Sequence, residues 1–196
     1  MTIDHYSRIP QLVFGFHGCD ESVRDKILNS ESEHLLQSEH DYEWLGHGVY
    51  FWMGDPMRAL EWAQEGQKKK PNKIKNPAVI GAIIDLGRCL NLSERECIED
   101  LRFAHRELKK NILQAGLKMP TNVRQDEGGI TLLRRLDCAV IECLHKLNPD
   151  KYQTAFGFFY EGGPAYEGAG FALKSHAQIC VRDLSCIKGY FLPRKS

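Results

Sequence analysis

The chain has 196 residues, of which 42% are hydrophobic and 27% charged, and its 26 basic side chains balance its 26 acidic ones. A neutral chain of this length suits one globular domain, residues 1–196, and has no overall charge that would draw it to nucleic acid or to a membrane. No run approaches the roughly 20 apolar residues of a membrane-spanning helix, and the start, MTIDHYSRIPQ, lacks the apolar centre of a secretion signal.

The first predicted elements alternate between strand and helix. QLVFGF (11–16) is a short apolar run rich in strand formers, and it predicts a buried strand. The next segment, DESVRDKILNS, predicts a helix that Asp20 caps. After a polar loop, GVYFW (48–52) predicts a second strand.

A well-marked helix follows in GDPMRALEWAQEG. Asp55 is placed to cap it, Pro56 suits its first position, and Gly66 is expected to end it. Helical spacing predicts a shared apolar face formed by Met57, Leu60 and Ala63. The lysine- and proline-rich stretch 68–77 predicts a solvated connection rather than a helix.

The second half begins with the clearest buried strand, AVIGAIIDL (78–86). Ser93 and Glu96 have the spacing of a capping box, and four apolar residues then recur at helical spacing up to Gly116: Ile98, Leu101, Leu108 and Ile112. The segment 128–147 is apolar enough to be buried, as helix or as a mixture of helix and strand. Since the tail alternates apolar runs with glycine turns, the whole pattern predicts a single α+β domain with mainly antiparallel sheets.

The seven cysteines carry information about compartment and metal binding. An odd count without a tight pairing pattern favours a reducing environment, so we expect a cytoplasmic protein. The nearest metal-like pairs are Cys138 with Cys143 and His176 with Cys180, and neither belongs to a four-ligand zinc site of known spacing. We therefore expect no metal.

Three short segments carry residues suited to chemistry: FHG (16–18), GHGVYF (46–51) and SHAQICV (175–181). Each alone is a weak signal, because a histidine at a strand end or a tyrosine within a strand is usually structural. Together and in this order they resemble the ADP-ribosyltransferase superfamily, in its poly-ADP-ribose-polymerase-like, diphtheria-toxin-like branch. That branch has a His-Gly on its first strand, a Gly-x-Gly-Ile/Val-Tyr-Phe segment followed by a helix, and a Glu opening a later strand.

The resemblance implies a fold and the positions of a ligand. The fold would be α+β, an ADP-ribosyltransferase-like split β-sandwich with flanking helices and NAD in the cleft between two packed sheets. His17 would bond the adenine-side ribose, the backbone of Gly18 would pair with the nicotinamide carboxamide, and Tyr50 would stack on the nicotinamide ring. Gly46, like Gly48, would let the backbone turn and approach closely, and Phe51 would face the core.

The third position departs from the family pattern, because Gln178 stands where the best-known members have Glu. A glutamine amide can hydrogen-bond a ribose hydroxyl, but it has no charge and cannot act as a general base. We therefore expect transfer of single ADP-ribose units or slow NAD hydrolysis, not polymer synthesis. Glu161 and Glu167, in the glycine-rich loop before Gln178, could bring a carboxylate to the cleft, although solvated loop acids are commoner.

The remaining candidates have weaker support. Many relatives have a small serine where this chain has Arg58, which could contact a phosphate of NAD or face solvent. His176 would share the strand face of Gln178 and could support it. His47 could line the cleft, although a turn histidine is more often exposed. The lysines between 68 and 75 favour a solvated linker over a contact with nucleic acid.

The resemblance implies a NAD-dependent mono-ADP-ribosyltransferase whose acceptor is a protein or a nucleic acid. The expected catalytic residues are His17, Tyr50 and Gln178, and the expected NAD-binding residues are His17, Gly18, Tyr50 and Arg58. Many bacterial relatives are toxins or defence factors, so an antitoxin or regulatory partner belongs to the same expectation. Two alternatives stay open: an NAD glycohydrolase, in which water is the acceptor, and a catalytically silent NAD- or ADP-ribose-binding module.

Overall fold

The computed structural model describes residues 12–69, 71–124 and 131–194. The helices in these ranges are α1 Glu21–Leu28, α2 Pro56–Lys69, α3 Arg95–Gln114 and α4 Arg135–Leu147. The strands are β1 Leu12–Asp20, β2 Val49–Met53, β3 Pro77–Asp85, β4 Cys89–Asn91, β5 Asn122–Arg124, β6 Thr131–Arg134, β7 Thr154–Phe159, β8 His176–Val181 and β9 Ile187–Phe191.

Seven of these strands form one sheet in the order β4-β7-β8-β2-β1-β3-β9, and β5 pairs with β6 in a separate ribbon. The pairing within the large sheet is antiparallel except between β4 and β7. The prediction of an α+β chain with mainly antiparallel strands is therefore confirmed. The resemblance implied two packed sheets, whereas these strands hydrogen-bond into one continuous sheet.

That sheet has a weak seam between β1 and β2. β1 pairs with β3 along its whole length, from Leu12 opposite Asp85 to Asp20 opposite Pro77. With β2 it shares only two paired positions, and the last of them is Phe16 opposite Trp52. The two strands therefore diverge beyond Phe16, which is where the His-Gly pair of the sequence motif lies.

Two apolar cores cover the opposite faces of the sheet. The first joins α1 to the sheet and includes Ile27, Phe51, Ile80, Ile84 and Ile179. The second lies under α3 and α4 and includes Leu45, Leu90, Ala104, Ile141, Leu144 and Cys180. Phe51 is fully buried, as the strand pattern predicts. Because opposed residues of antiparallel strands point to the same face, Phe16, Trp52 and Gln178 lie on the face of the second core.

Helix α2 packs on β1 and β3 with a face that matches the predicted one only in part. Ala63 is buried as predicted and Leu60 is half-buried, but Met57 is 64% exposed and Ala59 is buried in its place. The reason is the close approach of the helix to β1: a Cβ on Gly18 would lie 2.1 Å from the carbonyl oxygen of Ala59. At such a separation only small side chains fit between the helix and the strand.

Two of the three helix caps predicted from the sequence are present in the structure. Asp20 and Asp55 do cap α1 and α2, since their carboxylates accept from the backbone N–H groups of Ser22 and Arg58, respectively. The predicted capping box is wrong: α3 begins after Glu94, without a side-chain cap bond.

Three predicted boundaries also shift. α2 continues past Gly66 to Lys69, so the first lysines of the predicted linker are helical. β1 runs on through the His-Gly motif to Asp20. The ambiguous segment 128–147 becomes β6 followed by α4, and its first residues, 128–130, lie outside the described ranges.

Candidate functional site

His17 lies at the point where β1 and β2 diverge. Its Nδ1 is 2.7 Å from the backbone oxygen of Tyr50, and its ring makes edge contacts with Phe51 and tilted contacts with Trp62. Burial lowers the pKa of His17 below its usual 6.5. A neutral imidazole next to a carbonyl oxygen carries its proton on Nδ1, so Nε2 has a lone pair that can accept a hydrogen bond.

Tyr50 is fastened to the glycine segment that precedes it. Its hydroxyl donates to the carbonyl oxygen of Gly46 at 2.7 Å and accepts from the N–H of Leu45 at 2.8 Å. The ring packs against the second core, and burial raises the pKa of the phenol well above its usual value. Gly46 has φ +76°, and a Cβ there would lie 2.6 Å from the carboxylate of Glu142. The expected need for glycine is thus met by a tight, packed turn.

The backbone of Gly18 points along the seam between the strands. The N–H of Gly54 donates to the carbonyl oxygen of Phe14 at 3.0 Å, so Phe14 directs its backbone groups towards β2. Backbone groups of alternate strand residues point to the same side, and Gly18 therefore directs its own towards β2. Because the last pair between these strands is Phe16 with Trp52, Gly18 lies past the end of the ladder.

Gln178 lies on β8, the neighbour of β2 on the other side. It is directly opposite Trp52 and also opposite Gly157 of β7. Strand alternation puts His176, Gln178 and Trp52 on one face of the sheet. The side chain of Gln178 is half-buried. Gln178 and Tyr50 are thus close in the sheet, although Tyr50 itself pairs with the next same-face residue of β8, Cys180.

A buried polar cluster lies beside Gln178 and consists of Trp52, Arg58, Glu161 and His176, named below the Arg58–Glu161 cluster. Arg58 Nη2 is 2.9 Å from Glu161 Oε2, and His176 Nδ1 is 3.5 Å from the same oxygen. The Arg58 side chain is 7% exposed and that of His176 is 2% exposed. The alternative that Arg58 faces solvent is therefore wrong, and Glu161 is not one of the solvated loop acids.

Several nitrogen atoms of this cluster are buried without a hydrogen-bond partner in the described part of the chain: Trp52 Nε1, Arg58 Nε, Arg58 Nη1 and His176 Nε2. Arg58 Nη1 does lie 3.6 Å from a carboxylate oxygen of Glu61, which is too far for a hydrogen bond. Burial lowers the pKa of His176, whose Nδ1 is 2.7 Å from the carbonyl oxygen of Lys174. Buried polar groups are normally satisfied, so these nitrogens require hydrogen-bond partners beyond the described residues, such as ordered water or a polar ligand.

Aromatic rings connect His17 to the Arg58–Glu161 cluster. The ring centroid of Trp62, on α2, lies 6.3 Å from that of His17 and 5.9 Å from that of Trp52. Trp52 is in turn 6.4 Å from His176. Sequence reasoning missed Trp62, although its position one helical turn after Arg58 puts both on one side of α2.

Other residues named from the sequence lie away from this region or in solvent. The backbone N–H of His47 donates to Glu142 at 2.7 Å, and its carbonyl oxygen accepts from Arg182. Glu167 is exposed, and so are the described lysines of the predicted linker: Lys68, Lys69, Lys73 and Lys75. A cavity of about 560 Å³ between α3 and α4, and one of about 370 Å³ beside His47, have none of the predicted catalytic residues in their walls.

Comparison with known proteins leaves the family of this chain open. No protein-family model and no solved structure matches it. It is similar to an uncharacterized protein of Methanocaldococcus jannaschii, with 34% identity over 83 residues. That match covers 41% of this chain and 37% of the archaeal protein, so the chain spans well under half of the relative it matches.

Three general properties of the described ranges bear on the sequence predictions. No helix in them is both long enough and apolar enough to cross a membrane. Across the same ranges, His, Cys, Asp and Glu side chains nowhere gather in a group of three or more that could hold a metal ion. All seven cysteines are described, and none forms a disulfide.

Proposed function

We propose that the protein is a NAD-dependent mono-ADP-ribosyltransferase with an ADP-ribosyltransferase-like fold divided at the seam between β1 and β2. The observation that carries the proposal is the geometry at that seam. His17, held by the Tyr50 carbonyl at 2.7 Å, offers an acceptor nitrogen, and Gly18 directs its backbone past the last strand pair. These groups suit a ribose hydroxyl and a carboxamide, which has both an N–H donor and a C=O acceptor.

The chemistry fits the residues around the seam. Loss of nicotinamide from NAD leaves a ribose with positive charge at the anomeric carbon, and a catalyst must hold the leaving ring and stabilise that charge. The ring of Trp62 lies beside that of His17 and supplies apolar surface for an aromatic ring. Gln178, across from Trp52, can bond a ribose hydroxyl but cannot take a proton. The proposal is therefore transfer of single units to a protein or nucleic-acid acceptor.

The test is nicotinamide release from labelled NAD, with and without cell extract. The wild-type protein should release nicotinamide and label a macromolecule, and His17→Ala should weaken NAD binding about tenfold or more, because a site hydrogen bond is lost. His40→Ala, which changes an exposed histidine, is the matched control and should bind like wild type. Release without labelling would instead identify a glycohydrolase. Binding without release would identify a silent NAD-binding module, and unchanged affinity in His17→Ala would refute the site.

A second variant tests the place of Gln178. Gln178→Glu introduces the missing charge and should raise the rate of NAD cleavage about tenfold or more, since a positioned carboxylate can stabilise the cationic ribose. Gln64→Glu makes the same chemical change at an exposed position of α2 and should leave the rate unchanged. If both variants cleave NAD at the wild-type rate while remaining folded, Gln178 does not face the reacting bond.

A further inference from the structure

The transferase proposed above has no carboxylate at position 178. The fold does place the carboxylate of Glu161 3.5 Å from His176, which shares a strand face with Gln178. Glu161 is the second residue of the loop between β7 and β8, and this loop folds back on itself. The N–H of Lys174 donates to the carbonyl oxygen of Glu161 at 2.9 Å, and Pro164 bridges Ala172. Glu161 therefore lies beside Lys174 and His176, and His176 shares its face of β8 with Gln178, two residues further along the strand.

Glu161 is fixed through one oxygen and leaves the other available. Oε2 takes the ion pair with Arg58 at 2.9 Å and lies 3.5 Å from His176 Nδ1. Oε1 has no hydrogen-bond partner among the described residues, and the side chain is 19% exposed. A carboxylate can accept several hydrogen bonds, so a ligand can reach Oε1 without breaking the bond that holds Glu161 in place.

The neighbouring nitrogens show what kind of group the site would bind. Trp52 Nε1 and Arg58 Nε are buried donors without acceptors, and the Arg58 guanidinium lies 6.0 Å from the Trp52 ring. A hydroxyl group accepts and donates at once, so it can take a hydrogen bond from these donors and give one to Glu161 Oε1. An additional anion fits less well, because Glu161 and Glu61 already face Arg58. The chemistry of the Arg58–Glu161 cluster thus matches an O–H group.

We propose that Glu161, oriented by Arg58, is the general base of this reaction and that the acceptor group is a hydroxyl; this rests on the proposed function. The bond between nicotinamide and the ribose breaks, and nicotinamide leaves as a neutral molecule with the electron pair. The acceptor oxygen forms a new bond to the anomeric carbon. Its proton passes to Glu161 Oε1, the role that the amide of Gln178 cannot fill.

The experiment compares Glu161→Gln with Glu167→Gln. Glutamine at 161 keeps the size of the side chain and an oxygen for Arg58, but it cannot accept a proton. Glu161→Gln should lower the rate of nicotinamide release about 100-fold, with unchanged NAD affinity by calorimetry, and its Tm should fall because the buried Arg58 loses the charge of its partner. Glu167→Gln changes an exposed acid of the same loop and should behave like wild type.

A double variant separates a catalytic carboxylate from a structural one. If Glu161 is the base, Gln178→Glu should restore most of the roughly 100-fold rate lost in Glu161→Gln, a larger effect than the roughly tenfold gain expected in the wild-type background. Equal effects of Gln178→Glu in both backgrounds, or a wild-type rate in Glu161→Gln, would overturn the inference and leave the transferase standing. So would a fall in NAD affinity large enough to account for the lost rate. NAD binding without any release by the wild-type protein would overturn the proposed function itself.

Discussion

The burial of His17 keeps its imidazole neutral and so makes Nε2 a hydrogen-bond acceptor at the seam between β1 and β2. Removal from water lowers the pKa of His17 below 6.5, although the backbone bond to Tyr50 acts in the opposite direction. The ring therefore stays neutral to lower pH than a free histidine, with Nδ1 as donor and Nε2 as acceptor. We expect NAD affinity to be constant from about pH 8 to pH 6.5 and to fall only at more acidic pH. Calorimetry of NAD binding across this pH range tests the prediction. A loss of affinity with its midpoint near pH 6.5 would contradict it.

Two features of the fold meet at Gly18. Its backbone lies beyond the last pair of β1 with β2, and its Cα faces α2 so closely that a side chain would not fit. Gly18→Ala adds a methyl group that would lie 2.1 Å from the Ala59 carbonyl oxygen. The helix must move, and we expect the free energy of unfolding to fall by about 1–3 kcal/mol. Gly189→Ala, in β9, is the matched control, because a Cβ there meets nothing within 4 Å. Chemical denaturation of both variants provides the measurement, and equal stabilities would show that α2 does not approach β1 so closely.

At the scale of elements, the sequence predicted what depends on local chemistry. Asp20 and Asp55 cap their helices as expected, because capping involves neighbouring residues. The buried side of α2 could not be predicted, since it depends on the contact of Ala59 with Gly18, which comes from a separate strand. The ion pair of Arg58 with Glu161 could not be predicted from the sequence for the same reason, because it joins a helix to a loop that is distant in sequence. The motif residues could be named from sequence, but not their partners.

Asp20 shows how one side chain joins three elements. Its carboxylate accepts from the N–H of Ser22 in α1 and from those of Lys75 and Asn76, just before β3. These hydrogen bonds hold its pKa well below the usual value, with the Ser22 side chain contributing most. Asp20→Ala should lower Tm by a few degrees, whereas Ser93→Ala, at the predicted cap that α3 does not use, should change it little. A larger loss of Tm in Ser93→Ala than in Asp20→Ala would show that Ser93 does cap α3.

At the scale of the whole molecule, the sheet separates two cores that differ in buried ionisable side chains. The core towards α1 is mainly apolar, with the neutral Thr154 buried on its face of the sheet. The face that carries α2, α3 and α4 also holds Arg58, His145 and His176. Burial lowers the pKa of both histidines, and of His17 at the seam. The unfolded chain binds protons below pH 6.5 that the folded chain excludes, so the stability of the fold should decrease as pH falls through this range.

His145 provides the sharpest test of that dependence. Burial, helped by the charge of Arg182 and opposed by Glu142, lowers its pKa to about 4. Its contribution to stability is complete above pH 6.5 and is lost as pH falls towards 4, a loss of roughly 3 kcal/mol over the whole window. Between about pH 7 and 5, where the carboxylates remain ionised, His145→Leu should lose clearly less stability than wild type, because the leucine has no proton to bind.

The matched control for this prediction is His40→Leu, which removes an exposed histidine and should keep the wild-type pH dependence. Urea denaturation at the two pH values gives the free energies of unfolding directly. An unchanged slope in His145→Leu would show that His145 binds its proton equally well in the folded and in the unfolded protein. A reduced slope would establish that the burial of His145 limits the stability of the fold at acidic pH.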